Sequence, residues 1–460
     1  MRQMESFEKK YERMTTAAIP PLICSLAIPT IATMMITSVY NMADTYFVGK
    51  LGTSATAAVG ISFSLMCVIQ AIGFTFGMGS GNYVSRLLGQ KETDKAERVA
   101  TTGFFTAIGI GIILMIIGLC TVRPLVRLLG ATETIAPYAE DYIRFILIGA
   151  PWMTGSFVLN NLLRYQGNAF WGMIGIGAGG VLNIALDPLF IFVFDMGTSG
   201  AALATIISQL ISFIILLTFC TRGNNIRIHM RCFTPKWSIY KEILRGGLPS
   251  FYRQGLSSIA TVILNICAGA YGDAAIAAMS IVTRLMQFAS SFLLGFGQGF
   301  QPVCGFNYGA KKYERVLEAF WFCVKLAIGV LCGIALLGFI NAPSLIRIFR
   351  DDAKVIEIGI RALRFQCLTF PLSAWIVMNN MLMQTIGKGT KASILALSRQ
   401  GLFFIPIIMI ASNYFNLTGI ELSQPLADVG AFILAIPLGV SVVKELRKAA
   451  GQEVLLKEIE

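Results

Sequence analysis

The stretch "TSVYNMADTYFVGKLG", Thr37 to Gly52, puts an aspartate, Asp44, near the end of an apolar run that begins at about Ile19. A run of about 20 apolar residues crosses a bilayer as a helix. Asp44 then lies inside the span, where an ionised carboxylate costs roughly 2.5–3.5 kcal/mol on insertion scales. A chain that keeps such a residue needs either a partner for the charge or a way to remove it.

The rest of the chain supports the membrane reading. Of its 460 residues, 55% are hydrophobic and 13% charged, against about 25% charged in a soluble protein. The apolar runs are continuous rather than alternating, which excludes a membrane barrel. They predict twelve helices, near 19–48, 55–84, 100–122, 138–163, 170–194, 200–221, 247–271, 274–305, 317–341, 358–384, 392–413 and 418–444. With the N-terminus inside, 25 of the 37 Lys and Arg fall in cytoplasmic segments, Arg164 between helices and Arg399 (in a segment 385–400) and Lys444 at helix ends counted with them. This positive-inside bias accounts for the net charge without invoking nucleic acid, and it sets both termini in the cytoplasm of a plasma (inner) membrane protein.

The stretch has an echo. Adding 220 to a residue number in the first half gives its counterpart in the second: Leu51-Gly52 becomes Tyr271-Gly272, Gly77, Gly79 and Gly89 become Gly297, Gly299 and Gly309, and Gly167 becomes Gly387. Each copy holds six helices, an even number, so both enter from the same side. The expected fold is therefore an all-α polytopic membrane protein. Its two parallel six-helix bundles are related by a pseudo-two-fold axis along the membrane normal. The expected division is a cytoplasmic N-terminus 1–18, a first lobe 19–221, a cytoplasmic linker 222–246, a second lobe 247–444 and a tail 445–460. Small-xxx-small spacings, Gly73–Gly77–Gly81 and Gly295–Gly299, predict close helix contacts.

The copies differ where function is expected. Asp44 corresponds to Leu264, and Asp187, in "VLNIALDPLFIF", corresponds to Ile407. At 1.5 Å per residue, Asp44 and Asp187 both come out on the order of 10–12 Å below the outer surface. Asn183 shares a helix face with Asp187, Thr205 lies at a similar depth, and Pro188 predicts a freed carbonyl or kink. This set is expected to share a proton, bind a cation, or both. In the second copy, Arg284 and Asp428 match in depth and are expected to form a buried pair, while Glu421 is placed near the outer end of its helix. Met34, Phe63, Phe292 and Met378 are candidates to line a cavity for lipophilic cations. Ten scattered cysteines and a single histidine, His229, give no metal-ligating pattern, and the motifs of hydrolases and nucleotide-binding enzymes are missing. Neither catalysis nor a cofactor is expected.

These residues carry a family likeness. Twelve spans in two copies, "NMADTYFVGKLG" after Pro29, and "NIALDP" in the fifth helix resemble the MATE (multidrug and toxic compound extrusion) family, in particular its MepA-like and DinF-like members, over essentially the whole chain. The resemblance implies a cation site in the first lobe, with Asp44, Asp187, Asn183 and Thr205 as its groups and Tyr40 and Asn160 lining the same cavity. Depth along the helix puts Asn160 nearer the cytoplasm. A second branch of the family keeps acids in the seventh and tenth helices, and this chain has none there. An antiporter is implied, monomeric in its bilayer. It takes up H⁺ or Na⁺, changes its first helix about Pro29, and exports small-molecule drugs or metabolites. The other readings are a lipid-linked precursor flippase of the same plan, which would want a cluster of basic residues in the cavity, and, in a different class, an ion channel.

Overall fold

The computed structural model describes residues 2–221 and 226–459, so the start of the expected 222–246 linker lies outside the described residues. Helices make up the fold, and no strand occurs among the described residues. An amphipathic helix α1 (Arg2–Thr16) precedes the first lobe, which contains α2 (Ile19–Gly49), α3 (Thr53–Gly89), α4 (Thr93–Cys120), the short α5 (Val122–Leu128), α6 (Ala136–Tyr165), α7 (Ala169–Pro188) and α8 (Gly197–Thr221). The second lobe repeats the order: α9 (Trp237–Gly269), α10 (Asp273–Gly309), α11 (Tyr313–Ile340), the short α12 (Ala342–Phe349), α13 (Ala353–Thr369), α14 (Leu372–Thr385), α15 (Gly389–Leu397), α16 (Ile405–Tyr414) and α17 (Asn416–Ile459).

Among the described residues, ten helical stretches are long and apolar enough to cross a membrane. The remaining two crossings are α9, which carries the polar residues Arg253 and Gln254, and the pair α13–α14, broken at Phe370–Pro371. Two crossings contain π-helical turns: α7 continues through Leu189–Val193, and Ser398–Phe404 joins α15 to α16.

The 220-residue repeat is visible in the backbone itself. Positive φ angles recur at Gly52 and Gly272 (119° and 95°), Lys91 and Lys311 (62° and 60°), and Gly167 and Gly387 (83° and 84°). The lysines matter most here, because a side chain rarely adopts this left-handed conformation. At the seam the two lobes meet reciprocally. Gly89 packs on the carbonyl of Phe306, and its counterpart Gly309 packs on the carbonyl of Arg86, which is itself the counterpart of Phe306.

Contact between the lobes is concentrated on the side where the linker lies. There α3 meets α9 at Gly79 and Gly247, whose Cα atoms face the carbonyls of Ile243 and Thr75, and α2 meets α10 at Gly295 and Gly299. A β-carbon at Gly299 would sit 2.5 Å from the Ala27 Cα, and one at Gly295 would sit 2.7 Å from the Ile31 Cα. Of the two glycine stripes, Gly295–Gly299 thus joins the lobes. Gly73, Gly77 and Gly81 instead receive Phe157, Asn161 and Tyr165 of α6 within the first lobe. Polar bonds lace the same seam: Thr385 to Asn82 at 2.9 Å, Tyr165 to Gln301 at 2.8 Å, Arg86 to Glu242 at 3.0 Å and Gln254 to Gln70 at 3.0 Å. One apolar core runs through both lobes on this side, whereas the far half of the first lobe has a separate core around Leu65, Ile69, Ile143 and Ile206. The molecule is closed on the linker side and divided on the other.

The helix α1 spans the closed seam. Glu8 pairs with Lys91 of the first lobe at 3.2 Å, and the Lys91 ammonium sits over the Tyr11 ring. Second-lobe side chains bond the carbonyls at the end of α1: Asn307 to Met14 at 3.0 Å, Lys312 to Thr15 at 3.0 Å and Arg315 to Ala17 at 2.6 Å.

The glycine contacts make the closed seam testable. Gly299→Leu pushes a side chain into the α2 backbone and should disfavour closure by about 1–3 kcal/mol. Cys304 is fully buried beside this seam, so it should be alkylated by maleimide about tenfold or more faster in the variant, which peptide mass spectrometry reads directly. An unchanged rate would mean that the contact does not hold the lobes together.

Candidate functional site

In the divided half of the first lobe, four helices bring polar groups together. Asp44 and Tyr40 are one turn apart on α2, and Asn183 and Asp187 are one turn apart on α7, so each pair shares a face. The helices α6 and α8 contribute Tyr142 and Thr205. The Asn183 amide donates to Asp187 Oδ1 at 3.3 Å and to Thr205 Oγ1 at 3.4 Å, and the Thr205 hydroxyl donates to the Ala201 carbonyl at 3.0 Å. The Tyr40 ring packs over Gly180, within 3.1 Å of where a β-carbon would stand, and its hydroxyl is directed at Gln209 of α8. Tyr142 lies within electrostatic range of Asp44, Asp187 and Tyr40, with its hydroxyl toward Thr205.

This cluster is short of donors. Asp187, Asn183, Thr205 and Tyr142 are all buried. Asp44 Oδ1, Asp187 Oδ2, Asn183 Oδ1 and the Tyr142 hydroxyl have no hydrogen-bond partner. Buried oxygens are ordinarily satisfied. Here several lone pairs converge with no cationic side chain among them in the described residues, an arrangement that a proton or a small hard cation would complete. Local structure contributes as well. Pro188 has no N–H for the carbonyl one turn earlier, and the helix continues past it as the π turn Leu189–Val193. Such turns often mark functional positions.

Tyr142 and Gln209 were not among the residues singled out by sequence. The depth argument, applied to the descending α6, reaches Tyr142 about 9 Å in. The repeat gives a second signal, because every member of the cluster is replaced by an apolar residue in the other copy. Tyr40 becomes Ala260, Asp44 becomes Leu264, Tyr142 becomes Ala362, Asn183 becomes Phe403, Asp187 becomes Ile407, Thr205 becomes Pro425 and Gln209 becomes Val429.

Other expectations are corrected. Asn160 does not join the cluster; its amide packs on Gly172, near the opposite end of α7 from Asp187. Met378 is fully buried against Gly297 and lines no cavity, because the glycine leaves room for it at the α10–α14 contact. Met34 and Phe292 each stand three residues beyond the Ile31–Gly295 contact, where the lobes part, and Phe63 is exposed.

The pair expected between Arg284 and Asp428 does not form. Arg284 is exposed. Asp428 instead takes Arg399, with Nε–Oδ1 at 2.7 Å and a second contact at 3.4 Å, together with the Gln424 amide at 2.9 Å. Depth alone had matched Arg284 to Asp428, but depth does not fix which face of a helix a side chain leaves from. Arg399, placed by sequence in a linker-side segment, sits in the π turn of an unbroken helical run and is carried about 15 Å into the lobe. Glu421 is also fully buried, with Arg361 at 3.4 Å. Both buried acids of the second lobe thus have a guanidinium within ion-pair distance, hydrogen-bonded for Asp428 and not for Glu421, whose two oxygens lack a hydrogen-bond donor, whereas no guanidinium pairs with Asp44 or Asp187 among the described residues.

Comparison with known proteins follows from this geometry. The MatE family model matches residues 29–189 and 249–410, once in each lobe. The chain is 28% identical to the "Multidrug export protein MepA" of Staphylococcus saprophyticus, over 93% of each chain. A solved MATE family transporter of the MOP superfamily, described as outward-facing, superposes with a TM-score of 0.88 at 28% identity, over 94% of this chain and 99% of the other. A MATE structure in a bent conformation gives 0.88 at 28% identity, over 96% and 99%.

The Arg399–Asp428 assignment predicts a thermodynamic signature. Arg399→Met leaves a buried carboxylate unpaired and should destabilise the fold by about 3–5 kcal/mol, whereas the double variant Arg399→Met/Asp428→Leu should lose far less than the sum of the singles. Arg284→Met should fall within about 0.5 kcal/mol of wild type. Denaturant unfolding in detergent reads wild type, Arg399→Met, Asp428→Leu, their double and Arg284→Met. Strict additivity at positions 399 and 428 would contradict the pairing.

Proposed function

The chain belongs to the MatE family, and on that premise we propose that it is a secondary multidrug efflux antiporter. It exports lipophilic, cationic drugs or metabolites in exchange for H⁺ or Na⁺, without enzymatic turnover. The observation that carries this reading is the first-lobe cluster itself: Asp44 and Asp187 leave buried oxygens without a donor and have no cationic partner among the described residues, whereas Asp428 of the second lobe is bonded by Arg399, so the first-lobe acids are left to an exchangeable ion. The relatedness to multidrug export proteins supports the substrate class.

In this reading Asp44, Asp187, Asn183 and Thr205 hold the coupling ion, with Tyr40 and Tyr142 around it. Residues 19–221 and 247–444 are the lobes that rock, and 222–246 is the cytoplasmic linker. The closed linker side then faces the cytoplasm and the cleft opens outward, as in the outward-facing relative. Ion entry neutralises the carboxylates, which changes the relative stability of the two states of the lobe. The helix α2 transmits the change. It runs unbroken through Pro29, whose ring removes one backbone hydrogen bond and leaves a natural pivot. The membrane potential contributes about 2.3 kcal/mol per 100 mV for each charge moved. The chain works as a monomer.

Two experiments test the proposal. Asp44→Asn and Asp187→Asn keep the side-chain shape but cannot exchange a proton, so each should insert and fold normally yet lose gradient-driven efflux in proteoliposomes. The double variant should be little worse than either single, as for residues acting together. Asp351→Asn, at a side chain 82% exposed, serves as control and should transport at the wild-type rate. Wild-type gradient dependence in both single variants would remove Asp44 and Asp187 from the coupling step. For topology, reporters fused after Lys236 and after Lys448 should both read cytoplasmic, and an external signal at either would overturn the orientation.

A further inference from the structure

The floor of the cleft carries charge of the opposite sign to the ion site. Arg164, assigned by sequence to a linker-side loop, is 2% exposed at the end of α6. Its guanidinium bonds two neutral amides, Gln298 of the other lobe and Asn161 one turn away, and its Nε has no partner. From the second lobe, Arg253 of α9 reaches within electrostatic range of Arg164 and Tyr165. Arg253 is half-buried and makes no ion pair or hydrogen bond among the described residues. No carboxylate faces either arginine; what acts on each is Tyr165 or, for Arg253, the other arginine. The neighbours are glutamines, with Gln254 paired to Gln70 at 3.0 Å and Gln301 to Tyr165 at 2.8 Å.

Two guanidiniums converging in a membrane protein without an acid are as anomalous as acids without a base. Their position gives the anomaly a use. Gln254–Gln70 and Ile31–Gly295 mark where the lobes part, so the arginines lie at the base of the space between them. The ion site is elsewhere, since Asp44 is about 20 Å further along α2 from Ile31. An anion at the floor and a cation in the first lobe can be held together without neutralising each other.

We propose that Arg164 and Arg253 form an anion subsite, and that the preferred cargo is an amphiphile bearing a carboxylate beside its cationic aromatic body. This deepens the export reading and rests on it. The carboxylate accepts from the Arg253 fork, with the charge of the buried Arg164 behind it, and the aromatic part lies above it, toward Met34 and Phe292. A cargo with no anionic group leaves both guanidiniums uncompensated and places its own charge against theirs. Arg164 also bridges the lobes, whereas Arg253 is available only to what enters the cleft.

The test uses a matched pair of dyes: a rhodamine with a free carboxylate and its methyl ester, which keeps the cation and loses the anion. Binding is measured by fluorescence anisotropy on the full chain in nanodiscs, in low-ionic-strength methanesulfonate buffer free of chloride and of carboxylates. Wild type should bind the free acid about tenfold or more tightly than the ester. Arg253→Gln should bring that ratio to about one, with the ester bound at least as well as by wild type, and Arg253→Lys should retain most of the preference. A ratio near one in wild type, or a preference that survives Arg253→Gln, overturns the subsite. Loss of the preference when chloride replaces methanesulfonate assigns the arginines to an inorganic ion and overturns the substrate class. Efflux of the ester from wild-type proteoliposomes under a proton gradient tests the export reading separately: its absence defeats that reading whatever the binding ratio.

Discussion

Buried oxygen lone pairs need donors, and the first lobe does not supply enough of them. Asp44, Asp187, Asn183 and Tyr142 leave acceptors open in a space enclosed by α2, α6, α7 and α8. Most membrane proteins avoid this arrangement because bilayer and protein interior both penalise an unpaired charge. In the second lobe of the same chain an arginine stands beside each buried acid, bonded to Asp428 and at 3.4 Å from Glu421. The repeat therefore contains its own comparison: two copies of one bundle, one with guanidiniums beside its buried acids, the other with none beside Asp44 and Asp187 among the described residues.

The closed seam is built to match. Where the lobes touch, glycines let backbone meet backbone, and the bonds across the seam are largely between neutral amides and hydroxyls. Individually such bonds contribute about 1 kcal/mol, because water replaces them readily. A seam of this kind is specific in shape yet separates with few charges to strand, the exceptions being Arg86, paired to Glu242, and Arg164, bonded to Gln298. The costly electrostatics sit inside the lobes or at the cleft floor.

How much of this was legible in the sequence follows from what one-dimensional patterns encode. Length, hydropathy and the 220-residue offset carry the helix count and the parallel repeat, and the left-handed Lys91 and Lys311 reproduce that offset in the backbone. Depth along a helix was enough to bring Asp44, Asp187 and Thr205 to one level, because a bilayer aligns helix ends. Depth was not enough for Asp428, whose partner depends on azimuth, and π turns alter azimuth in ways no periodicity reports. Arg164 and Arg399 were misplaced for a related reason: basic residues near helix ends look like loop residues until the neighbouring helices prove longer. Met378 illustrates a third limit, since a methionine beside a glycine is a packing pair that composition cannot distinguish from a cavity wall.

The helix α1 has a consequence for how the molecule can be driven. By sequence it leads into the first lobe, through the short joint Ala17–Ala18, yet the bonds to its terminal carbonyls come from the second. Its contacts with the first lobe include an exposed ion pair and a cation–π contact at Lys91, each weak in water, a hydrogen bond from Arg13 to Ser25 at 3.1 Å, and the buried Met14 against Gly167. Cations at a helix C-terminus are favoured by the dipole as well. When the lobes swing, α1 is held from both sides, and the joint before α2 becomes the point where that motion arrives as tension. The peripheral strap is thus a mechanical tether, wired so that the movement of one half pulls on the very helix that carries Asp44 in the other.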